Sequence, residues 1–501
     1  MTPRAVSLRL VVATSLLLAA APRVSMAAAK ATSPGTSSMP THASSPDRTS
    51  PPQLPPAPPI RLPRPQNQRL PNGLELSVVE IHKAPVVDVT VIVRAGACRD
   101  PEDLPGLATF TAGMLDEGAG KRTSLEISDE IDFLGAGLSA NAGLEVAQIN
   151  LHVTRRGLEQ ALDVLADVTL RPTFPDSEIA RQREQRRAQI LQLRDQPTNI
   201  APIAFNAVLF GAGHPYGRPA GGTDASTNRL DRAKITSFYS QYYRPGNATV
   251  LVVGDITAAE ARKLIEARFG AWSGAEVASL PSAAPPPAGA RTFYLVDKPD
   301  AAQSVIRIGN VGATRATQDY YALQVLNTVL GGAFTSRLMQ NLRETHGYTY
   351  SASSTFELRR LAGPFRAGAS VATAKTDSAV VEFMKELRRI RDEAVPETEL
   401  KKAKQYLTLG LSGDFEGTAQ AGQRFADLVV NQLPADTWDR YTPGIDAVTA
   451  ADVQRVARQY VDPDHFVMLI VGDVKQIEPG LQALNEGPVS HRDLWGQLPT
   501  P

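Results

Sequence analysis

Arg343 and Tyr350 stand seven residues apart in the run Leu342-Arg343-Glu344-Thr345-His346-Gly347-Tyr348-Thr349-Tyr350-Ser351. A guanidinium offers a rigid fork of N–H donors, and a phenol offers one O–H donor. Together they suit a peptide carbonyl, or the negative charge that develops on such an oxygen when it is attacked. A plainer account exists, in which Arg343 pairs with a nearby carboxylate and Tyr350 packs in a sheet. Spacing alone favours the plainer one.

The elements before the pair must hold it in place. Leu323, Leu326, Val329 and Leu330 recur at helical spacing, so residues 320–330 predict a helix with one buried face. Gly331 and Gly332 turn the chain and supply a flexible loop, although a helix stop explains them equally well. Leu338, Met339 and Leu342 predict a second short helix, stopped by Gly347. A strand pattern starts at Tyr348.

The same kinds of element occur twice. Leu74 to Glu80 and Val87 to Val93 alternate and predict paired strands after the Asn72-Gly73 turn. Residues 106–118 predict a helix and its exit, and Thr123-Ser124-Leu125-Glu126 a capping box. Residues 138–153 read as further strands, Leu158, Leu162, Leu165 and Val168 as a core-facing helical stripe, and residues 179–194 as a long charged helix. Pro245, Gly254 and Asp255, around an apolar strand, recur 218 positions later as Pro463, Gly472 and Asp473. A constant offset of this kind marks a duplicated unit. The fold class is therefore α+β, with two tandem homologous domains, each a mainly antiparallel sheet packed with helices. Residues 67–272 form the first and 292–485 the second, joined by the Ala/Pro-rich segment 273–291 and followed by a tail, 486–501.

Composition limits the function. The 501 residues carry 52 basic and 52 acidic side chains, so no global field points to nucleic acid or an anionic membrane. Residues 1–28 read as a secretory signal: Arg4 and Arg9, then the apolar run Leu10 to Ala21, then small residues. The run is short for a membrane span, and an uncleaved anchor is the alternative. Residues 29–66 are Pro/Ser/Thr-rich and read as a flexible tether.

Most self-contained catalytic chemistries are missing. The single Cys98 excludes an intrachain disulfide and a cysteine zinc knuckle. No two of the seven histidines lie closer than 26 residues. Asp116 and Glu117 form a carboxylate pair, for which an exposed acidic loop is the favoured account. There is no Gly-x-Ser-x-Gly elbow, and Gly211-Ala212-Gly213-His214-Pro215-Tyr216-Gly217 is a structural turn rather than a dinucleotide loop.

The run Leu342 to Ser351, with Leu330-Gly331-Gly332-Ala333-Phe334-Thr335-Ser336-Arg337-Leu338 before it, resembles the second-domain motif of the M16 (pitrilysin/insulinase-type) zinc peptidases. The subgroup it resembles contains the mitochondrial processing peptidase and its bacterial relatives. The resemblance runs from about Leu70 to Asp473 and implies paired homologous domains. It also implies that Arg343 and Tyr350 hold a substrate backbone against a zinc site. The family carries His-x-x-Glu-His on a first-domain helix and a further Glu on a later one. The matching positions here are Thr109, Ala112, Gly113 and Gln189. Ala and Gly have no donor atom, and Thr and Gln are poor zinc ligands.

The resemblance thus implies a non-catalytic subunit that binds no metal itself. Its partner would be a catalytic M16 chain with His-x-x-Glu-His, forming a heterodimer that carries the zinc and cleaves extended peptides. Here Arg343 would bind a substrate carbonyl and Tyr350 would sit near the oxyanion, where one donor is worth about 2.7–4 kcal/mol. In a bacterium the exported chain would work in the periplasm, with no membrane span after signal cleavage. The alternative is a peptide-binding or scaffold protein with no proteolytic role.

Overall fold

The structure is a computed structural model describing residues 62–279 and 283–499. The signal at 1–28 and nearly all of the tether at 29–66 lie outside the described residues. The last tether residues belong to the fold. Leu62 packs on the core, Arg64 pairs with Asp439 at 2.7 Å, and Gln66 opens the first strand.

Apolar runs of period two become two six-stranded sheets. The first contains β1 (Gln66–Arg69), β2 (Glu75–Glu80), β3 (Val86–Val93), β6 (Gly137–Ala142), β7 (Ala147–Thr154) and β8 (Ala248–Gly254). Between β3 and β6 runs a small ribbon, β4 (Gly118–Ala119) with β5 (Arg122–Thr123). The second sheet contains β9 (Thr292–Asp297), β10 (Gln303–Val311), β11 (Ala352–Phe356), β12 (Pro364–Ala372), β13 (Val467–Gly472) and β14 (Val489–Arg492). In the orders β1-β2-β8-β3-β7-β6 and β14-β9-β13-β10-β12-β11 the five strands after the first correspond one to one, while the outer edge is antiparallel β1 in one sheet and parallel β14 in the other. The repeated apolar strands β8 and β13 occupy equivalent places.

Two sequence expectations change. β2 and β3 do not pair with each other. The late strand β8 enters between them, parallel to β2 with Val78 opposite Val252 and antiparallel to β3 with Val89 opposite Val252. The tail is also not peripheral, because its residues Val489–Arg492 form edge strand β14, parallel to β9.

Both sheets are covered on both faces, which explains why β8 and β13 are continuously apolar rather than alternating. Val250 and Val252 join Leu162, Leu165 and Val168 of helix Leu158–Leu170 in one cluster. Leu251 and Val253, pointing the other way, join Phe425 and Leu428 of the second-domain helix Thr418–Val430. The reciprocal contact puts Ile200, Ala204 and Phe205 of the first-domain helix Pro197–Phe210 against Val305, Leu469 and Val471 of the second sheet. Each domain thus lends a helix to the other's sheet. Among the described residues, no helix is long and apolar enough to cross a membrane.

Candidate functional site

The Arg343 segment is built from wide helical turns. Helix Tyr320–Asn327 continues as a π-type turn, Thr328–Gly332, and a second such turn spans Met339–Thr345. Turns of this kind concentrate at functional sites. Leu342 is buried and anchors the second turn. Gly347, at φ +62, ends it by donating to Arg343 O at 3.0 Å, and Tyr348 N–H reaches Leu342 O at 2.9 Å. The αL glycine cap is the helix stop that the sequence predicts. The strand starts later than predicted, at Ala352 instead of Tyr348. Thr349 Oγ1 donates to Ser370 O at 2.7 Å and accepts from Ser351 N–H at 3.1 Å, which bends this stretch out of the ladder.

Tyr350 therefore does not pack in a sheet. It is 84% exposed. The Arg343 guanidinium carbon lies 4.8 Å from its ring centre and 4.7 Å from that of Phe334, itself 63% exposed. Arg343 Nε also reaches Glu344 Oε1 at 3.3 Å, so the expected carboxylate pairing exists, with the adjacent residue and at the surface. Phe334 is the member that sequence reasoning missed. The available signal was an aromatic residue two places after the Gly-Gly pair in the same quoted run.

Gly331 and Gly332 are inside the last helical turn, not in a flexible loop. A Cβ on Gly331 would lie 2.2 Å from Ser354 N of β11, so glycine is there for close packing of helix on strand.

The four metal positions sit on helix Leu107–Ala112, its C-terminal cap Gly113, and helix Asp176–Asp195. The buried Asp100 holds the start of the first helix, accepting from Gly106 and Ala108 N–H at 2.7 Å each. Burial pushes its carboxyl up to about 7 against the pull of those two bonds. Thr109 and Gln189 line one cavity of about 450 Å³, together with Arg186 and with Trp495 from the chain's C-terminal segment. Ala112 is buried in the core.

Arg186 decides what this cavity can hold. Its Nη1 donates to Thr109 Oγ1 at 3.1 Å and to Gly221 O at 2.7 Å, and its guanidinium carbon lies 5.6 Å from the Phe110 ring centre. The Thr109 hydroxyl in turn donates to Ala220 O at 2.8 Å. Burial lowers the Arg186 pKa, and the Asp100 charge opposes this. A zinc ion does not fit these residues. The position that would supply its first ligand carries a hydroxyl already bonded to a fixed cation, and two others carry no donor. Arg186 lies three residues before Gln189 on the same helix, an i, i+3 neighbour that the sequence could have flagged. Among the described residues, no group of three or more His, Cys, Asp or Glu side chains is arranged to hold a metal ion.

The nearby acidic pair is not an exposed loop. Glu117 is bound by Arg181 at 2.5 Å and by Gln182. Asp116 is half-buried, and burial pushes its carboxyl up to about 6. The His214 to Gly217 turn is structural and links the domains. Tyr216 Oη donates to Glu145 and accepts from Leu361 N–H at 3.1 Å, while the Arg359 guanidinium carbon lies 4.9 Å from the Tyr216 ring centre.

Comparisons with known proteins bear on the family and the fold. Residues 77–223 match the family model described as insulinase (peptidase family M16), and residues 229–407 the one described as the peptidase M16 inactive domain. An uncharacterized zinc protease of Mycobacterium leprae is 27% identical over 397 residues, which are 78% of this chain and 88% of that protein. One from Bacillus subtilis is 23% identical over 399 residues, 80% of this chain and 96% of that protein. The fold is shared with a structure described as a peptidase M16 inactive domain from Pseudomonas fluorescens, with TM-score 0.76 and 24% identity over 81% of this chain and 98% of that one. A protease structure from Helicobacter pylori gives TM-score 0.77 and 19% identity over 82% of this chain and 100% of that one.

Proposed function

The chain belongs to the M16 peptidase family and lacks its catalytic motif, and from that premise we propose that it is the non-catalytic subunit of a two-chain zinc-dependent peptidase. It would lend Arg343 and Tyr350 to the site of a partner that carries His-x-x-Glu-His. The carrying observation is the exposed stack of Arg343 on Tyr350. A tyrosine ring 84% exposed adds little to folding through burial. The stack limits where the guanidinium can point, which lowers the entropy lost when it meets a ligand.

Each residue has its own task in this scheme. Arg343 donates N–H groups to a backbone carbonyl of an extended peptide, an interaction present before and during reaction, so it acts chiefly on substrate binding. The Tyr350 hydroxyl donates to the carbonyl oxygen that gains charge under attack, so it acts chiefly on turnover. Zinc, held by the partner, would polarise that carbonyl and activate water. Arg186, bound to Thr109 in this chain's own metal position, supports assigning the metal to the partner. The leader pattern at residues 1–28 supports a meeting place outside the cytoplasm, the periplasm in a bacterium.

The test is peptidase activity on an unstructured peptide with this chain alone, the partner alone and the two together. Chelator-sensitive cleavage that needs both chains is the expected result. Metal-dependent cleavage by this chain alone would overturn the assignment.

A further inference from the structure

The second domain contains a cavity of about 610 Å³ between the Thr328–Thr345 region and helices Thr376–Asp392 and Glu397–Gly410. Arg343 and Tyr350 are not in its wall. At its base lies Arg337, only 8% exposed. Arg337 Nε donates to Glu399 Oε2 at 2.9 Å. Its two Nη groups are buried and have no hydrogen-bond partner. Burying N–H donors of a charged group unpaired is costly, so such groups are seldom left without a role.

The rest of the wall shows what would satisfy them. Lys385, Arg389 and Lys402 join Arg337 in the lining, against the carboxylates Glu386 and Glu399. Lys385 already pairs with Glu382 at 3.2 Å and Arg389 with Glu393 at 3.0 Å, so among these side chains it is Lys402, with the unpartnered Nη groups of Arg337, that leaves positive charge for a negatively charged occupant. Nε is occupied by Glu399, so the guanidinium edge left without a partner is the buried Nη1/Nη2 edge, the shape that takes a carboxylate with two parallel bonds. Beside it, Asn341 Oδ1 is also buried without a partner, its Nδ2 being bonded to Glu382 at 2.8 Å and Glu386 at 2.9 Å. Glu386 Oε2 has only Arg389 at 3.5 Å. Unpaired donors therefore lie beside the cavity together with two acceptors that lack a hydrogen-bond partner, Asn341 Oδ1 and Glu386 Oε2. A peptide's last residue carries both complements, a carboxylate and an amide N–H. Inorganic phosphate lacks an N–H donor of that kind.

We infer that this cavity is a binding site for the C-terminal carboxylate of a peptide, with Arg337 taking the carboxylate and Asn341 Oδ1 the adjacent amide N–H. The inference stands apart from the role of Arg343 and Tyr350, because it concerns a different cavity and needs no partner chain.

Calorimetric titration of the full chain with trialanine, trialanine amide and inorganic phosphate at low chloride tests it. Trialanine is expected to bind at least tenfold more tightly than either its amide or phosphate. Arg337→Met should reduce trialanine affinity at least tenfold. Because that change also strips Glu399 of its partner, Lys402→Ala provides a second variant, on an exposed rim residue. It should weaken trialanine about two- to threefold while the melting temperature stays constant. Equal binding of the amide, a preference for phosphate, no binding of any of the three, or trialanine affinity unchanged in both variants would each overturn the inference.

Discussion

The Arg343 guanidinium carbon sits 4.8 Å from the centre of the Tyr350 ring, and the Phe334 ring lies at 4.7 Å from the same carbon. The two residues proposed to serve a partner's substrate therefore form one unit before any substrate arrives, and Phe334 belongs to it.

Phe334→Ala should loosen Arg343 without harming the fold. An exposed cation–π contact is worth about 0.5–1 kcal/mol, so kcat/KM of the reconstituted pair should fall about two- to fivefold. The melting temperature should hold, because Phe334 is 63% exposed. Steady-state kinetics beside a thermal melt reads both, and unchanged kinetics would remove Phe334 from the unit.

Rebuilding the metal ligands alone should not rebuild a zinc site. A chain carrying Thr109→His, Ala112→Glu, Gly113→His and Gln189→Glu still has the Arg186 guanidinium in the same cavity. Space is not the obstacle at Gly113, where an added Cβ meets its first neighbour at 3.5 Å. Adding Arg186→Leu to the four changes should raise zinc affinity at least tenfold, read by competition with a chelating dye. Equal affinities would show that Arg186 does not guard the position.

The two glycines should differ. Gly331→Ala drives a Cβ to 2.2 Å from the Ser354 backbone nitrogen and should destabilise by about 1–3 kcal/mol, as overpacking does. Gly332→Ala meets the Asn327 side-chain nitrogen at 2.7 Å and the Asn327 backbone oxygen at 3.0 Å, longer than the 2.2 Å at Gly331, and should be milder. Denaturant midpoints of the two variants give the comparison, and equal losses would contradict the packing described for Gly331.

Asp100 should make stability depend on pH. Its folded pKa, raised by burial to about 7, lies above that of an unfolded aspartate near 3.9. The folded state thus holds the proton more tightly. The associated stabilisation is complete below about pH 4 and is lost as pH rises through about 7. Asp100→Asn should flatten that part of the profile, measured by chemical denaturation at several pH values between 4 and 8. An unaltered slope would show that Asp100 is ionised throughout.

Much of this was legible in the sequence because it is local. The apolar strand that follows Pro245 and its copy after Pro463, the αL stop at Gly347 and the Thr123 capping box are each written in a few adjacent residues, and all are in the structure. The lost zinc motif was legible because Ala112 and Gly113 cannot donate, wherever they fold. Long-range features were not legible. The insertion of β8 between β2 and β3 depends on a strand more than 150 residues away. Helix Pro197–Phe210 contains Pro202, and its apolar residues are spread around it because it packs on the other domain's sheet, so it shows no single stripe. Arg337 reads as an ordinary charge in sequence, and Arg186 is marked there only by its place three residues before Gln189. Only burial beside Thr109 and Asn341 gives them chemistry.

The most direct measurement is kcat for the reconstituted pair with Tyr350→Phe in this chain, made alongside a binding assay for assembly. Removing one hydroxyl from a donor to a developing oxyanion should lower kcat about a hundredfold, on the scale of 2.7–4 kcal/mol, while assembly stays unchanged. An unchanged kcat with assembly intact would mean that the exposed Tyr350 takes no part in a partner's chemistry, and the subunit assignment built on it would fail.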